Sequence, residues 1–533
     1  MKNGSRPGSH LRSATGLSFP LEPERKPSTG LCPSLTSSLS SKMTSSTHRL
    51  TALAYFRDRC HFPMSSGPYS VGSVDLATPQ VFFRLYYPHQ FHASPQAKLQ
   101  MLQDNHRKWT RWLPEPEYAT AYLSFKYSRQ LPAILGKAFQ WLAWDPYLPN
   151  IENASLVSQS GGEGNGLEKL PLIVFSHGNG GCRTTYSMVC SEMASKGYLV
   201  AAVEHHDGSA SIARALGGDG QLEWVLPRVV VGEDYEVRND QVCTRARECQ
   251  TVLDVLQSLN QEKQDGVVKK PFDPRDAFSL GSLYQRIDLE GGVAIAGHSF
   301  GGASTIKALM AKEGELFKAG FCFDSWMFPI REEAPDLAIV GKPLFFINYE
   351  KFQWRRNLQT MRNFERPLPD SIGVLARPSS VSSSACPPSS SLPVNSQSST
   401  NVITIKKAIH YVATDLPLVL SSSYLKYPLG ILEWLSSLRF PRFRSGSSSS
   451  LPAYSPHGDS SSVSDEKTPL GPLDGLALSI DLFTAFLGDC FHSRTSKEDH
   501  ETRHNLFHKV ADNRAYLIHG TRFLDVEPKS GSE

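Results

Sequence analysis

The chain has no long apolar run and almost no excess of charge of either sign. Nowhere in its 533 residues is there an uninterrupted apolar stretch of about eighteen residues, the length that a membrane-spanning helix needs. The N-terminus also lacks the apolar segment of a secretory signal. With 55 Lys and Arg against 52 Asp and Glu, the formal net charge is only +3 and gives no electrostatic reason to expect a nucleic-acid partner. We therefore expect neither a membrane-spanning protein nor a nucleic-acid-binding one.

Cysteine is scarce, and its spacing suggests no pairing. The nine cysteines are an odd number, form no C-x-x-C pair and show no zinc-finger spacing. This usage is typical of a reducing compartment, so we expect a cytoplasmic protein. The basic, serine-rich and acid-poor N-terminus is an alternative indication of a transit peptide, although its proline and glycine content argues against one. A start at Met43 would leave this segment outside the protein.

Three segments are too poor in apolar residues to join a core. Residues 1–50 are rich in Ser, Pro and Gly, and two similar low-complexity segments lie at about 367–400 and 445–468. We expect all three to be disordered, the first as a tail and the others as surface insertions. What remains predicts one large domain over residues 51–526, followed by a short C-terminal tail at 527–533.

Continuous apolar runs alternate with amphipathic segments through the middle of the chain. The predicted strands are Leu170–Ser176, Gly197–Val203, Val293–Ala296, Ala319–Phe323, Pro343–Asn348 and Val402–Ile405. The predicted helices cover residues 185–196, 237–259 and 303–312. Unbroken apolar strands separated by helices are typical of a mostly parallel sheet with helices on both faces. The sequence therefore predicts an α/β fold, in which ligands bind at the carboxyl ends of the strands.

A G-x-S-x-G motif lies between one of these strands and the next helix. It spans Gly297–Gly301, directly after the strand Val293–Ala296. In a nucleophile elbow the glycines make room for a strained serine backbone, so that the hydroxyl stands exposed and the following amide faces a developing oxyanion. The motif alone is weak, and it is the preceding strand and the following helix that favour Ser299 as a nucleophile over an ordinary turn.

An acid and a histidine follow two later strands. Asp324 comes directly after Ala319–Phe323 and His410 follows Val402–Ile405, which gives the order Ser, Asp, His expected of an α/β-hydrolase. A serine hydroxyl needs an imidazole to take its proton, and the imidazole needs a carboxylate to hold its tautomer. Glu350, after the intervening strand, is the rival acid. The histidines that compete with His410 are His457, His492, His500, His504, His508 and His519.

Glycines also follow the strand Leu170–Ser176, in the segment His177–Gly181. Glycines at this position let backbone N–H groups approach a substrate oxygen. We assign the two oxyanion donors to the backbone amides of Asn179 and Phe300, the alternative being a turn that only reverses the chain.

A polar cluster after the next strand resembles a metal site only in composition. His205, His206 and Asp207 lack H-E-x-x-H or comparable helical spacing. We therefore expect no metal and no cofactor, and we interpret Glu204–Asp207 as polar groups that pack the loop.

Four segments together resemble one known family. They are residues 175–180 (FSHGNG), 203–211 (VEHHDGSAS), 297–303 (GHSFGGA) and 324–329 (DSWMFP). The chain resembles the platelet-activating factor acetylhydrolase family, the single-chain type that includes the lipoprotein-associated phospholipase A2, with gaps from about Gly67 to about Leu487. The resemblance implies an α/β-hydrolase that cleaves short or oxidised sn-2 acyl chains from phospholipids without calcium.

The resemblance also implies roles for individual residues. Ser299 would be the nucleophile, Asp324 the triad acid and His410 the base, while Trp326 would line the acyl pocket. The chain departs from the family pattern at Asn179, where an apolar residue is usual, in the loop after the base, and in the insertion before the last strand. Because the donor at position 179 is a backbone amide, the first departure leaves the proposed chemistry intact.

Two further apolar segments bear on partners. Leu131–Trp144 and Leu425–Phe440 are aromatic and bordered by basic residues, as in helices that lie at a membrane interface, and equally as in helices that pack on a sheet. The expected partner is a phospholipid substrate, with peripheral membrane contact as a further hypothesis and no prediction of oligomeric state. Two alternative functions remain, namely another carboxylesterase, lipase or polyester hydrolase on the same fold, and a non-catalytic hydrolase-like binding protein.

Overall fold

The structure is a computed structural model that describes residues 54–56, 59–127, 146–159, 166–228, 230, 234–263, 267–270, 277–311, 315–367, 400–420, 470–491 and 517–521. The predicted tails, both insertions and the two interface segments lie wholly or almost wholly outside these residues. The same holds for five of the alternative histidines, namely His457, His492, His500, His504 and His508. The division of the chain into tails, domain and insertions stays a prediction.

One large sheet organises the described residues. Its strands, together with a separate pair, are β1 (Ala54–Phe56), β2 (Arg59–His61), β3 (Tyr69–Ala77), β4 (Phe82–Phe91), β5 (Trp109–Arg111), β6 (Tyr147–Glu152), β7 (Leu170–Ser176), β8 (Leu199–Glu204), β9 (Ala213–Leu216), β10 (Leu222–Val225), β11 (Val268–Lys270), β12 (Ile287–His298), β13 (Ala319–Phe323), β14 (Leu344–Tyr349), β15 (Val402–Ile405) and β16 (Leu517–His519). The order in the sheet is β1-β2-β6-β3-β4-β8-β7-β12-β13-β14-β15-β16, with β5 paired to β6 and β11 to β3. Strands β9 and β10 form the separate antiparallel pair.

The half of the sheet from β8 to β15 is parallel throughout. Strand β4 enters it antiparallel to both β3 and β8, and β16 closes the far edge antiparallel to β15. Because parallel neighbours need a crossover connection, helices separate these strands along the chain. Their carboxyl ends therefore meet at one edge of the sheet, where the predicted site residues lie.

Helices cover both faces of the sheet. They are α1 (Pro95–Asp104), α2 (Pro116–Tyr127), α3 (Ser187–Ser195), α4 (Tyr235–Asn260), α5 (Phe300–Met310), α6 (Ala334–Ile339), α7 (Arg355–Met361), α8 (Leu416–Leu420) and α9 (Pro472–Phe491). Successive strand residues point to opposite faces, so Leu172 and Val174 of β7 pack in one core with α4 and α5. Ile173 and Phe175 pack in the other core with α3 and α9. This double burial explains why the strand is apolar at nearly every position.

The predicted fold class is confirmed: the chain has an α/β-hydrolase fold, with a mostly parallel sheet between two layers of helices. The predicted strands Ala319–Phe323 and Val402–Ile405 have the predicted bounds, and β12 begins earlier than expected, at Ile287. The three predicted helices correspond to α3, α4 and α5. None of the described helices is both long and apolar enough to cross a membrane.

Just before β15, two segments of the chain pair with each other, and we call this pairing the neck. Pro367 and Thr400 form an isolated antiparallel bridge. Next to it, the Arg366 amide donates to the Asn401 side chain at 2.6 Å. In return, the Asn401 amide donates to the Arg366 carbonyl at 3.0 Å. The Asn401 side chain also donates to the carbonyl of Leu344 at 2.8 Å, which ties the neck to the start of β14.

Candidate active site

Ser299 lies in a sharp turn between β12 and α5. Its backbone has φ 56° and ψ −116°, a left-handed conformation that non-glycine residues rarely adopt and that is typical of a nucleophile elbow. The flanking glycines are required by close backbone contacts. A Cβ on Gly297 would lie 2.2 Å from the Gly301 carbonyl oxygen, and one on Gly301 would lie 2.1 Å from the carbonyl oxygen of Ser176.

Ser299 is largely enclosed. Only 7% of the residue is exposed, because the hydroxyl faces the His410 ring and the backbone of Gly178 packs on its Cβ. The serine is enclosed by its hydrogen-bond partner and by the loop that follows β7.

Asp324 directly follows β13 and is fully buried. Its Oδ2 accepts a hydrogen bond from Nδ1 of His410 at 2.7 Å. Its Oδ1 accepts from the Tyr349 amide at 2.8 Å and from the Gln353 side chain at 2.5 Å. Burial raises the pKa of the Asp324 carboxyl above its usual range, and the two donors on Oδ1 oppose this rise. The carboxylate is thus held in one orientation, with one oxygen facing the imidazole.

His410 begins the short 3₁₀ turn His410–Ala413 after β15. Its Nε2 lies 3.0 Å from the Ser299 hydroxyl oxygen, while Nδ1 bonds Asp324. The ring of Phe352 stacks on the imidazole with centroids 3.5 Å apart and fixes its plane. Burial lowers the pKa of His410 below the ordinary 6.5, which favours a neutral ring at pH 7. A neutral imidazole with Nδ1 protonated presents a free lone pair on Nε2 to the serine.

The two predicted oxyanion donors lie on elements that meet at Ser299. Phe300 is the first residue of α5, so its amide belongs to the unbonded N-terminus of the helix. Gly178, next to Asn179, approaches so closely that a Cβ on it would lie 3.2 Å from the Cβ of Ser299. Within the described ranges, the amides of Asn179 and Phe300 have no protein acceptor. Their role as oxyanion donors stays a prediction.

Trp326 lies close to the elbow. Its amide donates to the Ser299 carbonyl at 2.9 Å, and its ring meets Phe300 edge-on with centroids 5.5 Å apart. The indole also stacks on Phe328, with ring centroids 5.6 Å apart. These two aromatic contacts hold the half-buried ring against the first residue of α5.

The polar cluster after β8 is bonded within the protein. Nδ1 of His205 lies 2.6 Å from a Glu248 carboxyl oxygen, and Asp207 forms an ion pair with the buried Arg245 at 3.0 Å. Nε2 of His206 bonds the carbonyl of Arg214 at 2.8 Å. These contacts favour the interpretation of the cluster as loop-packing groups.

One set of metal-type ligands exists in the described part of the chain, formed by His298, Asp324 and His410, whose ligand atoms lie within 4.8 Å of one another. Each of the ring nitrogens involved already has a hydrogen-bond partner, as do both oxygens of Asp324. The set is better described as a hydrogen-bonded cluster around the serine than as a metal centre.

Several supporting residues were not found from the sequence. Gln353 orients Asp324, and Asn357 holds Gln353 with a 2.8 Å hydrogen bond. Phe352 stacks on the imidazole, and Tyr186 hydrogen-bonds the elbow residue His298. A signal existed for Gln353, since it follows the end of β14 just as the other site residues follow their strands. Tyr186 lies before a helix and carries no such signal.

Comparison with known proteins gives the family. The family described as platelet-activating factor acetylhydrolase, isoform II, matches residues 54–428, which include every residue of the candidate site. The chain belongs to this family. The resemblance seen in the sequence motifs is thereby confirmed.

Relatives in the family are similar along much of the chain. The platelet-activating factor acetylhydrolase of Canis lupus familiaris is 34% identical over 331 residues, which are 60% of this chain and 66% of the dog protein. The protein of the same name from Bos taurus is 35% identical over 312 residues, or 56% of this chain and 62% of the bovine one. The chain thus spans just under two thirds of these relatives.

More distant similarities extend further along the chain. A putative phospholipase A2 of Schizosaccharomyces pombe is 24% identical over 406 residues, covering 71% of this chain and 88% of the yeast protein. Among solved structures, a ferulic acid esterase from Streptomyces cinnamoneus superposes with a TM-score of 0.43 at 14% identity, covering 87% of this chain and 99% of that one.

Proposed function

We propose that this protein is a calcium-independent serine esterase that hydrolyses short or oxidised sn-2 acyl esters of phospholipids, the 1-alkyl-2-acetylglycerophosphocholine esterase type. Membership of the platelet-activating factor acetylhydrolase family supports the substrate class. The observation that carries the chemistry is the hydrogen-bonded series from the Ser299 hydroxyl through both nitrogens of His410 to Asp324, at 3.0 and 2.7 Å.

In the proposed cycle, Nε2 of His410 takes the proton of Ser299 as the hydroxyl oxygen attacks the sn-2 carbonyl carbon. The amides of Asn179 and Phe300 donate to the resulting oxyanion. The imidazolium, stabilised by Asp324, then gives its proton to the leaving alkoxide, and a lysophospholipid departs. Water activated by the imidazole hydrolyses the acyl-serine and releases the fatty acid, which restores the free hydroxyl.

A second part of the proposal concerns access of the substrate to the serine. The position of Trp326 beside the serine supports a role in lining the acyl pocket, where a bulky ring would limit chain length. We also propose peripheral contact with membranes, which was suggested by two segments outside the described residues, and a cytoplasmic location, which rests on the cysteine usage.

The test compares purified wild-type protein with Ser299→Ala on phosphatidylcholines that carry an acetyl, an oxidised or a long sn-2 chain, and on a simple ester such as p-nitrophenyl acetate. We expect hydrolysis of the first two phospholipids in EDTA, and none by the variant. A wild-type protein active only on simple esters would indicate another carboxylesterase. A protein that hydrolyses none of these substrates, and whose Ser299 is not labelled by an active-site phosphonate, would be a hydrolase-like binding protein.

A further inference from the structure

The variable residue of the elbow motif, His298, bonds in two directions. Its Nε2 lies 2.8 Å from the carbonyl oxygen of His410, and its Nδ1 lies 2.8 Å from the hydroxyl oxygen of Tyr186. The same hydroxyl oxygen lies 3.0 Å from the amide nitrogen of Gly178. A continuous series of hydrogen bonds, which we call the elbow series, therefore runs from Gly178 through Tyr186 and His298 to the backbone of His410.

The chemistry of these groups fixes the direction of every bond. A carbonyl oxygen can only accept, so Nε2 of His298 carries the hydrogen. Burial lowers the pKa of His298 to about 3, so the ring is neutral at pH 7 and its Nδ1 accepts the Tyr186 hydroxyl hydrogen. The hydroxyl oxygen is then left to accept from the Gly178 amide. All three donors and all three acceptors are satisfied in a single arrangement.

The elbow series joins three parts of the proposed machinery. Gly178 directly precedes Asn179, His298 directly precedes Ser299, and the carbonyl at the far end belongs to His410. The parts are also tightly packed, because a Cβ on Gly178 would lie 2.9 Å from the Tyr186 hydroxyl oxygen. The rings of His298 and His410 lie 4.5 Å apart. A shift of any one part must therefore disturb the others.

We propose that Tyr186 and His298 are positioning residues, which hold the Asn179 amide and the His410 ring in register with Ser299 through the elbow series. The proposal rests on the proposed function, since it assigns these two residues a part in the same reaction. Neither residue touches the reacting atoms. Their contribution therefore belongs in kcat and not in substrate affinity.

Tyr186→Phe and His298→Gln both break the link between Tyr186 and His298, and Tyr186→Phe also removes the acceptor of the Gly178 amide. When the glutamine NH₂ takes the place of Nε2 and keeps the bond to the carbonyl of His410, the glutamine oxygen lies on the former Cδ2 side of the ring, away from the Tyr186 hydroxyl. We expect each variant to lower kcat about tenfold at unchanged KM, less than the 10²–10³ lost when an oxyanion donor is removed outright. The double variant should be no slower than the slower single one, because the link is broken only once.

Tyr87→Phe is the matched control. Tyr87 is also buried, and its hydroxyl donates to the Ala154 carbonyl at 2.7 Å. Tyr87 lies on β4, which β8 and β7 separate from β12 and the elbow. This variant should lose a similar amount of thermal stability and keep wild-type kcat. The proposal is overturned if Tyr186→Phe and His298→Gln stay within twofold of this control, or if their effects on kcat multiply in the double variant.

A spectroscopic measurement tests the elbow series without any turnover. In ¹⁵N spectra of the histidine rings, the signals lost in His298→Gln should show a neutral ring protonated on Nε2 at pH 7. A charged ring, or a hydrogen on Nδ1, contradicts the series. Failure of the proposed function gives a different result from failure of the elbow series. In that case Ser299→Ala would be as active as the wild type, whatever the spectrum shows.

Discussion

Replacing Asp324 with asparagine should invert the tautomer of His410. The two donors on Oδ1, the Tyr349 amide and the Gln353 side chain, hold the oxygen of the new amide in place, so its NH₂ group faces Nδ1 of His410. Nδ1 must then accept, and the ring hydrogen moves to Nε2, the atom 3.0 Å from the Ser299 hydroxyl. An imidazole protonated there cannot take the serine proton.

The size of the effect follows from this inversion. The same inversion in a serine protease triad costs about 10⁴-fold in kcat, equivalent to about 5 kcal/mol of transition-state stabilisation. Because the substitution is nearly isosteric and both donors keep their acceptor, the melting temperature should change little. The assay is steady-state hydrolysis of an acetyl phosphatidylcholine at pH 7.5, with circular dichroism to verify the fold.

Glu350→Gln is the control, since Glu350 is the rival acid. Its carboxyl accepts a hydrogen bond from the Lys407 amide at 2.7 Å, and a glutamine oxygen can replace that acceptor. We expect this variant to keep wild-type kcat within a few-fold. Asp324→Asn with activity within tenfold of the wild type, or a fall of 10³-fold or more in Glu350→Gln, would refute the assignment of the acid.

Three further outcomes are expected. Gln353→Leu should lower kcat about tenfold at unchanged KM, because Asp324 loses one donor and can turn away from the imidazole; an unchanged kcat would show that the Tyr349 amide alone suffices. The stability of Glu248→Gln should depend less on pH than that of the wild type. Burial raises the pKa of Glu248 from 4.5 to about 8. The wild type therefore loses stability as the pH rises between these values, by up to about 1.4 kcal/mol per pH unit. Thermal melts of both proteins from pH 4.5 to 8 test this, and parallel curves would contradict it. Gly302→Ala should destabilise by about 1–3 kcal/mol in urea unfolding, because the new Cβ would lie 2.0 Å from the Ser325 hydroxyl oxygen, and wild-type stability would show that this side chain can turn aside.

The sequence predicts the central strands because their environment is simple. Strands buried on both faces are apolar throughout, and polar residues such as Ser299 and Asp324 appear where each strand ends. Chain order then suggests which acid and which histidine belong together. Selecting His410 among the histidines needed only the additional observation that it follows the last apolar run.

The N-terminal half of the sheet was missed for the opposite reason. Strands β3 and β4 are buried yet contain Asp75 and Arg84, which pair across the strands with a 2.6 Å hydrogen bond. Arg183 adds a second cation to Asp75 at 2.8 Å. A buried charge that is neutralised by a partner distant in sequence looks like a surface residue until the fold is known. Tyr186 and Gln353 escaped prediction likewise, because their roles depend on how elements pack and not on periodicity.

Because of the neck before β15, the position of His410 does not depend directly on the number of residues between Pro367 and Thr400. Asp324 and His410 are 86 positions apart, and the pairing of Arg366 with Asn401 returns the chain to the sheet just before β15. Closing a loop costs only about 0.6 kcal/mol for each doubling of its length, so the cost of bringing Arg366 to Asn401 depends only weakly on the number of residues between them. We therefore expect that a variant with a shorter connection between Pro367 and Thr400 keeps the contact between His410 and Asp324.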